Sequence, residues 1–156
     1  MAFLGAAAVF AGALGAAAAL GLGVLGAKVL PPLAPECPAG AVVPAPLSGL
    51  AVNVYNSASI EGLAAATAKS LKTHGVDVVS TDNKEAPKFA TTSPDVIITA
   101  SSEKLGEAAA LQALFPKSSF LLDDAEPKVS VYLTKADPKM GGKPSTAKTE
   151  LRCVSG

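Results

Sequence analysis

The sequence is poor in the side chains that most enzymes use for chemistry. It has one histidine, two cysteines, one arginine and no tryptophan. A single histidine excludes a histidine-based metal cluster within one chain, and two widely separated cysteines do not form a zinc site, which usually takes four ligands in close pairs. Nucleophile-elbow, phosphate-loop and dinucleotide motifs are also missing. We therefore expect no metal, no cofactor and no catalytic activity.

The charges are balanced, with 13 basic and 13 acidic side chains. All but one of the basic residues are lysines, and Arg152 is the exception. Nucleic-acid binding needs a basic excess clustered on one face, and the sequence offers neither the excess nor a cluster. Phosphoryl transfer would need clustered arginines or a metal ion to stabilise charge. Both functions are therefore disfavoured.

Two features allow a catalytic and a structural interpretation. Asp123 and Asp124 are adjacent, and a carboxylate pair can serve as acid and base when the two environments differ. The side chains of adjacent residues on a strand or in a turn are directed away from each other, however. We therefore interpret both aspartates as turn residues with solvated charges. His74 falls where a helix should end, and there the helix dipole favours it as a C-terminal cap.

The start of the chain lacks both charge and proline. Residues 2–27 are apolar or glycine, and the run ends at Lys28. As a helix this run spans roughly 39 Å, whereas the hydrocarbon core of a membrane is roughly 30 Å thick. A cleaved signal would have an apolar region of about 7–15 residues behind a basic start. The sequence therefore predicts a transmembrane helix over residues 1–27.

Two properties of this span concern its partners and its orientation. Small residues recur at four-residue spacing, which lets two such helices self-associate in the membrane; an alanine-rich span also shows this spacing by chance. The residues are Ala8, Gly12 and Ala16, and then Ala19, Gly23 and Ala27. The nearest flanking charge, Lys28, by itself favours a cytoplasmic location for the rest of the chain.

The remaining chain divides by composition into three parts. Residues 28–47 contain half of the twelve prolines, which predicts an extended, semi-rigid linker. Residues 48–137 carry the hydrophobic pattern of a folded domain. Residues 138–156 are polar and rich in lysine, and we expect them to form a flexible tail.

The pattern over residues 48–137 predicts a small two-layer α/β domain of order βαββαββ. Period-two alternation and helical spacing place strands over residues 50–55, 76–80, 95–100, 119–122 and 128–133, and helices over residues 60–71 and 103–115. Ser59 is placed to cap the first helix and Gly75 to end it, while Ser101 and Ser102 are cap candidates for the second. This order predicts a mixed sheet of four to five strands with both helices on one face.

The predicted sheet has one face that the helices leave uncovered. If they cover the side of Val52, Val54, Val129 and Val131, the opposite face presents Asn53, Tyr55, Thr99, Ser130 and Tyr132. Two tyrosines suit a docking surface, but a solvated face is common in such sheets.

A second candidate site is the turn after the first strand, which contains Asn56, Ser57 and Ser59. It lies at the carboxyl end of a strand and at a helix N-terminus, where backbone donors can meet a glycan or a lipid headgroup. The same residues also serve any strand-to-helix turn.

Three short segments carry a resemblance to a known family. They are residues 52–56 (VNVYN), 61–64 (EGLA) and 71–76 (LKTHGV). With them the chain resembles the LytR C-terminal domain family over roughly residues 48–137, and its layout is similar to small actinobacterial single-pass envelope proteins. Two positions depart from the family pattern: Ser57 stands where glycine is frequent, and residues 133–137 read LTKAD where Leu-Gly-x-Asp is usual.

The resemblance implies a location and a function. It implies an extracytoplasmic domain on the cell membrane and a non-catalytic role in cell envelope integrity, either by binding wall polymer or by scaffolding envelope enzymes. The alternative is a regulatory partner subunit of an enzyme that attaches glycopolymers. The phosphotransferase domain that larger relatives carry has no counterpart in this sequence.

The two cysteines, Cys37 and Cys153, flank the predicted domain. An even count in an exported chain fits a disulfide that ties both ends of the domain together, and small family members are similar in placing one cysteine past the membrane and one near the C-terminus. Two free thiols and a bridge between chains are the alternatives.

Overall fold

The computed structural model describes residues 37–87 and 94–154. The predicted transmembrane helix and residues 28–36 of the predicted linker lie outside these residues. Within the described residues, no helix has the length and apolar character needed to span a membrane.

The secondary structure follows the predicted order. The described residues form β1 (Ala41–Val42), β2 (Ala51–Asn56), helix α1 (Leu63–Lys72), β3 (Asp77–Asn83), β4 (Val96–Ala100), a 3-10 turn (Ser102–Lys104), helix α2 (Leu105–Leu114), β5 (Ser118–Leu122), β6 (Val129–Leu133) and β7 (Thr149–Glu150). From β2 to β6 the order is the predicted βαββαββ. The short strands β1 and β7 lie outside that pattern.

Strands β2 to β6 form one mixed sheet in the order β3-β2-β6-β4-β5. β2 is parallel to both β3 and β6, β4 is parallel to β5, and β4 is antiparallel to β6. Each helix therefore connects two neighbouring parallel strands, as parallel pairing requires. The predicted α/β class with a five-stranded mixed sheet is confirmed.

One face of the sheet packs against both helices. Alternation along β2 and β6 places Val52, Val54, Val129 and Val131 on this face, where all four are buried. Residues of both helices, including Leu71 of α1 and Leu111 and Leu114 of α2, belong to the same hydrophobic cluster. Both helices therefore cover one face, as the pattern predicts, because period-two alternation leaves only one apolar side.

The start of α1 differs from the prediction. The helix begins at Leu63 behind Gly62, which has a φ of 79°, and no side chain caps it. Ser59 itself has a φ of 57°, and the Leu63 N–H donates to Ile60 O in a turn before the helix. Ser59 is therefore not the cap, because the chain enters the helix through a left-handed residue, a conformation that glycine adopts at little cost. Gly75 ends the helix as predicted, with a φ of 86°.

The start of α2 also differs. Ser102 begins a 3-10 turn, Lys104 precedes α2, and neither Ser101 nor Lys104 makes a side-chain cap bond. The first turn is capped instead by a distant carboxylate, since Asp124 Oδ1 accepts a hydrogen bond of 2.7 Å from the Ser102 N–H. The prediction that Ser101 or Ser102 caps the helix is wrong.

β3 extends three residues further than predicted. Residues 81–83 were expected in a loop, but β3 pairs with β2 as far as Asn56 and Asn83, with a bulge where the register shifts after Val52. Most of β3 is exposed, so its sequence lacks the alternation that marks a half-buried strand.

The C-terminal segment is folded where a flexible tail was expected. β7 pairs antiparallel with β1, and residues 152–154 pair with the edge of β5 through Phe120. Leu151 and Val154 are only 8 % and 7 % exposed. The flexible-tail prediction is wrong for residues 149–154, because these apolar side chains and the open edge of β5 complement each other.

The end of the predicted linker also packs against the domain. Leu47 is buried, and the Ala45 N–H donates to Gly106 O at 2.9 Å. A disulfide joins Cys37 to Cys153 within the chain, with 5.9 Å between their Cα atoms. The linker end and the C-terminal segment are therefore held together beside α2.

Candidate functional site

The helix-free face of the sheet carries the five residues that alternation assigned to it. Strand pairing places Tyr55 directly opposite Tyr132 and Asn53 opposite Ser130, and Ser130 lies opposite Thr99. The face therefore has a row of small polar side chains beside a row that contains both tyrosines.

Most of this face is buried. Thr99 is 2 % and Ser130 1 % exposed, and Asn53 and Tyr132 are also buried, whereas Tyr55 is partly exposed. Asn53 Oδ1 accepts a hydrogen bond from Ser80 Oγ at 2.8 Å. The Thr99 and Ser130 hydroxyls have no hydrogen-bond partner in the part of the chain that the structure describes. The face is thus neither an open docking surface nor an ordinary solvated one over most of its area.

The accessible part of this face consists of Tyr55 and Lys84, which lie beside the buried Tyr132. The Tyr55 and Tyr132 rings lie 5.0 Å apart at an angle of 36°. Lys84 Nζ lies 4.9 Å from the centre of the Tyr55 ring and 5.9 Å from that of Tyr132, within the distance at which an ammonium group is attracted to an aromatic face. We call Tyr55, Lys84 and Tyr132 the tyrosine–lysine cluster.

Protonation within the cluster is coupled. The charge of an ionised Tyr132, and then a hydrogen bond to its hydroxyl, raise the pKa of Lys84. Burial raises the pKa of Tyr132, and Lys84 opposes this effect. At neutral pH the cluster therefore offers a protonated ammonium group and a neutral phenol hydroxyl, both of which can donate hydrogen bonds.

The turn after β2 contacts the backbone of Lys84 in the cluster. The Asn56 side chain donates to Ile60 O and accepts from the Ala58 N–H. Ser57 Oγ donates to Lys84 O at 2.6 Å, and the Lys84 N–H donates to Asn56 O at 3.3 Å. The side-chain groups of Asn56 and Ser57 thus bond within the protein, and the Asn56 carbonyl and the Ser57 hydroxyl restrain the backbone of Lys84.

Lys84 is the residue that sequence reasoning missed. It was expected in the loop over residues 81–93, with no role. β3 pairs with β2 up to Asn56 and Asn83, so the next residue reaches the end of β2 where Tyr55 lies. The sequence does not reveal this placement, because the choice of neighbouring strand is a tertiary contact.

Asp123 and His74 take the structural roles expected of them, whereas Asp124 also caps the 3-10 turn at Ser102. Asp123 Oδ1 accepts from the Ala125 N–H in a turn. The backbone N–H of Ser102, and then its hydroxyl, lower the pKa of Asp124. His74 Nδ1 lies 3.2 Å from Ser70 O at the end of α1. Among the described residues no group of three metal-ligating side chains comes together.

Comparison with known families decides the relationship. The family model described as LytR cell envelope-related transcriptional attenuator matches residues 49–136. The chain belongs to this family. The LytR resemblance of residues 52–76 is thus confirmed, and the whole tyrosine–lysine cluster lies inside the matched range. Cys37 and Cys153 lie outside it.

One solved structure has a similar fold. The soluble domain of a conserved hypothetical secreted protein from Mycobacterium marinum matches with a TM-score of 0.55 and 23 % sequence identity, over 65 % of this chain and 70 % of that one. No curated protein matches the chain in sequence. At this identity the similarity establishes the fold alone.

Proposed function

We propose that this chain is a non-catalytic, membrane-anchored module on the outer side of the cell membrane, which supports the envelope by binding a wall glycopolymer. Membership of an envelope-related family supports the envelope role. The apolar residues 2–27 support the anchor. The Cys37–Cys153 disulfide supports the outer location, because disulfides persist in oxidising compartments.

The tyrosine–lysine cluster is the observation that carries the binding role. Sugar rings present C–H groups on their faces and hydroxyls around their edges, and a tyrosine offers an apolar ring face with a polar tip. Tyr55 supplies a partly exposed ring, and Lys84 supplies an exposed cation beside it. An ammonium group next to a stacking ring suits a glycan that carries acidic or phosphate groups.

The backbone that carries the cluster is restrained by contacts within the protein. Lys84 is held by two backbone-directed bonds from residues 56 and 57, and Tyr55 packs against the buried Tyr132. A site that is already ordered loses less conformational entropy on binding. Few side chains take part, so we expect weak binding by one domain and stronger binding by many anchored copies on a repetitive polymer.

Sedimentation with purified cell walls tests the proposal. Full-length protein in detergent micelles is mixed with intact walls and with walls stripped of glycopolymer. We expect the wild type to sediment with intact walls, and Lys84→Ala and Tyr55→Ala to bind about tenfold more weakly, in line with the loss of one hot-spot contact. Lys69→Ala, which removes an exposed lysine from α1, is the matched control and should bind as the wild type does.

Crosslinking in cells separates this function from its alternative. A photoreactive residue at position 82, which is exposed and lies opposite Tyr55 across the sheet, keeps Lys84 in place and should give heterogeneous polymer adducts. One adduct of constant mass with a single protein would instead favour a regulatory subunit of a glycopolymer-attaching enzyme. Equal sedimentation of the Lys84→Ala variant and the wild type would contradict the proposed site.

A further inference from the structure

Residues 151–154 lie along the edge of β5 like an added strand, and we call them the C-terminal latch. The Phe120 N–H donates to Arg152 O at 2.6 Å, and the Val154 N–H donates to Phe120 O at 2.9 Å. Leu151 and Val154 bury their side chains. The latch thus satisfies backbone groups that a free sheet edge would leave unpaired.

The Gln112–Arg152 pair adds side-chain hydrogen bonds to the noncovalent contacts of the latch. The Gln112 side chain bonds to both the N–H and the carbonyl of Arg152. The Arg152 guanidinium donates to Gln112 O, Phe115 O and Ser118 Oγ. Each of these contacts contributes a modest net free energy, because it replaces a hydrogen bond with water.

The covalent hold is the disulfide, and it sits in the middle of the latch. Cys153 lies opposite Phe120 of β5 and is partly buried, whereas Cys37 is exposed. Residues 134–148, which connect β6 to β7, contain neither helix nor strand, and β7 pairs with β1 over only two residues. A broken disulfide would therefore leave the latch held only by noncovalent contacts, against the conformational entropy that its release would gain.

We propose that the Cys37–Cys153 disulfide is a redox-controlled lock on the C-terminal latch, and that its reduction frees the edge of β5 while the sheet stays folded. The reductant is an extracytoplasmic dithiol. One of its thiolates attacks the exposed Cys37 Sγ, forms a mixed disulfide and expels the Cys153 thiolate, which takes up a proton. The second thiol then displaces Cys37, so the dithiol becomes a disulfide and the protein gains two thiols.

Release of the latch would expose the edge of β5. Without the latch, Ser118–Leu122 presents unpaired backbone donors and acceptors, which is the surface that an extended segment of another chain recognises. The latch occupies this surface in the oxidised protein. The inference is independent of wall binding, because the tyrosine–lysine cluster lies on β2, β6 and the residue after β3.

Amide hydrogen exchange on the full-length protein in detergent micelles tests the lock. The oxidised protein is compared with the protein reduced by dithiothreitol and with the double variant Cys37→Ser/Cys153→Ser. We expect the Phe120 and Val154 amides to exchange faster by about tenfold or more in both, while the Val54 and Val131 amides in β2 and β6 remain protected. Reoxidation should restore slow exchange at Phe120.

Three results would overturn the proposal. Unchanged exchange at Phe120 and Val154 after reduction would mean that noncovalent contacts alone hold the latch. Loss of protection throughout the sheet would mean that the disulfide only stabilises the fold. Equal opening in the oxidised Arg152→Ala variant would mean that the arginine is the lock, and not the disulfide.

Discussion

The side chain of Gln112 bonds to the backbone of Arg152 as a neighbouring strand would. Gln112 Oε1 accepts from the Arg152 N–H at 2.9 Å, and Gln112 Nε2 donates to Arg152 O at 3.0 Å. Arg152 in turn donates from Nη2 to Gln112 O and Phe115 O, each at 3.1 Å. The lone arginine therefore places its charge at the C-terminal end of α2, where the helix dipole favours a cation.

Gln112→Ala should reduce stability. The change leaves two backbone groups of Arg152 without their buried amide partner, and we expect the free energy of unfolding to fall by about 1–3 kcal/mol. Urea unfolding followed by circular dichroism measures this loss. Gln112→Glu is the informative companion, because it keeps the acceptor but loses the donor; wild-type stability in both variants would refute the importance of the pair.

Arg152→Lys should separate charge from geometry. Lysine keeps the positive charge but lacks the planar guanidinium group that donates to several acceptors at once. We therefore expect the free energy of unfolding to fall by about 1 kcal/mol. Lys117→Ala, which removes an exposed cation from the same region, should change the urea midpoint little. If Arg152→Lys were as stable as the wild type, the positive charge alone would account for the contribution of Arg152 to stability.

Gly142→Ala should distort the segment after β6. A Cβ atom at position 142 would lie 1.7 Å from Ala113 O, whereas one at Gly141 would meet nothing within 4 Å. The backbone must therefore shift away from α2 and break the bond from the Gly142 N–H to Leu114 O. We expect a loss of about 1–3 kcal/mol, as for other overpacked sites. Thermal unfolding of Gly141→Ala, the matched control, should resemble the wild type.

Asp124 should make stability depend on pH in the acid range. Its pKa lies below 3.8 in the folded protein because the Ser102 N–H stabilises the carboxylate. A lowered pKa means that the folded state binds fewer protons, so this stabilisation is complete above the unfolded pKa and is lost as the pH falls through the folded pKa.

Comparison with an uncharged side chain isolates this effect. The difference in Tm between wild type and Asp124→Asn should be largest near neutral pH and should decrease as acidification protonates the Asp124 carboxylate. Asp77→Asn serves as a control on an exposed strand. A difference that stays constant from neutral to acid pH would argue against the Ser102 contact.

The disulfide should be found within one chain. Non-reducing peptide mapping of protein from the envelope fraction should yield one crosslinked pair that contains Cys37 and Cys153, from a band that migrates as a monomer. Thiols that react with a labelling reagent before reduction would indicate two free cysteines. A dimer that dissociates on reduction would indicate a disulfide between chains.

The domain should face away from the cytoplasm. Intact spheroplasts are exposed to an impermeant protease, and a tag after Gly156 is probed with a cytoplasmic protein as the control. We expect loss of the tag alone. Survival of the tag would agree with the charge of Lys28, and it would remove the basis for both the wall-binding role and the disulfide.

Periodicity was sufficient for the sheet and its core. Val52 and Val54 alternate with polar residues, as do Val129 and Val131, so one face had to be apolar and both helices had to cover it. The family could also be predicted from the sequence, because residues 52–76 carry its local motifs. The starts of the helices were harder to predict. Ser59 and Ser102 have the right residue type for a cap, but α1 begins behind Gly62 in a left-handed conformation. The turn before α2 is capped by Asp124, which lies 22 residues away from Ser102 in the sequence.

The sequence by itself determined the order of helices and strands, the face of the sheet that packs against the helices, and the positions of the cysteines on either side of the domain. Each of these depends on residue type at short spacing. Only the tertiary structure decided that Lys84 lies over Tyr55, that Arg152 caps α2 and that residues 151–154 cover β5. These placements depend on which strands become neighbours. That choice is made by packing energy summed over the whole core, and no short stretch of sequence contains it.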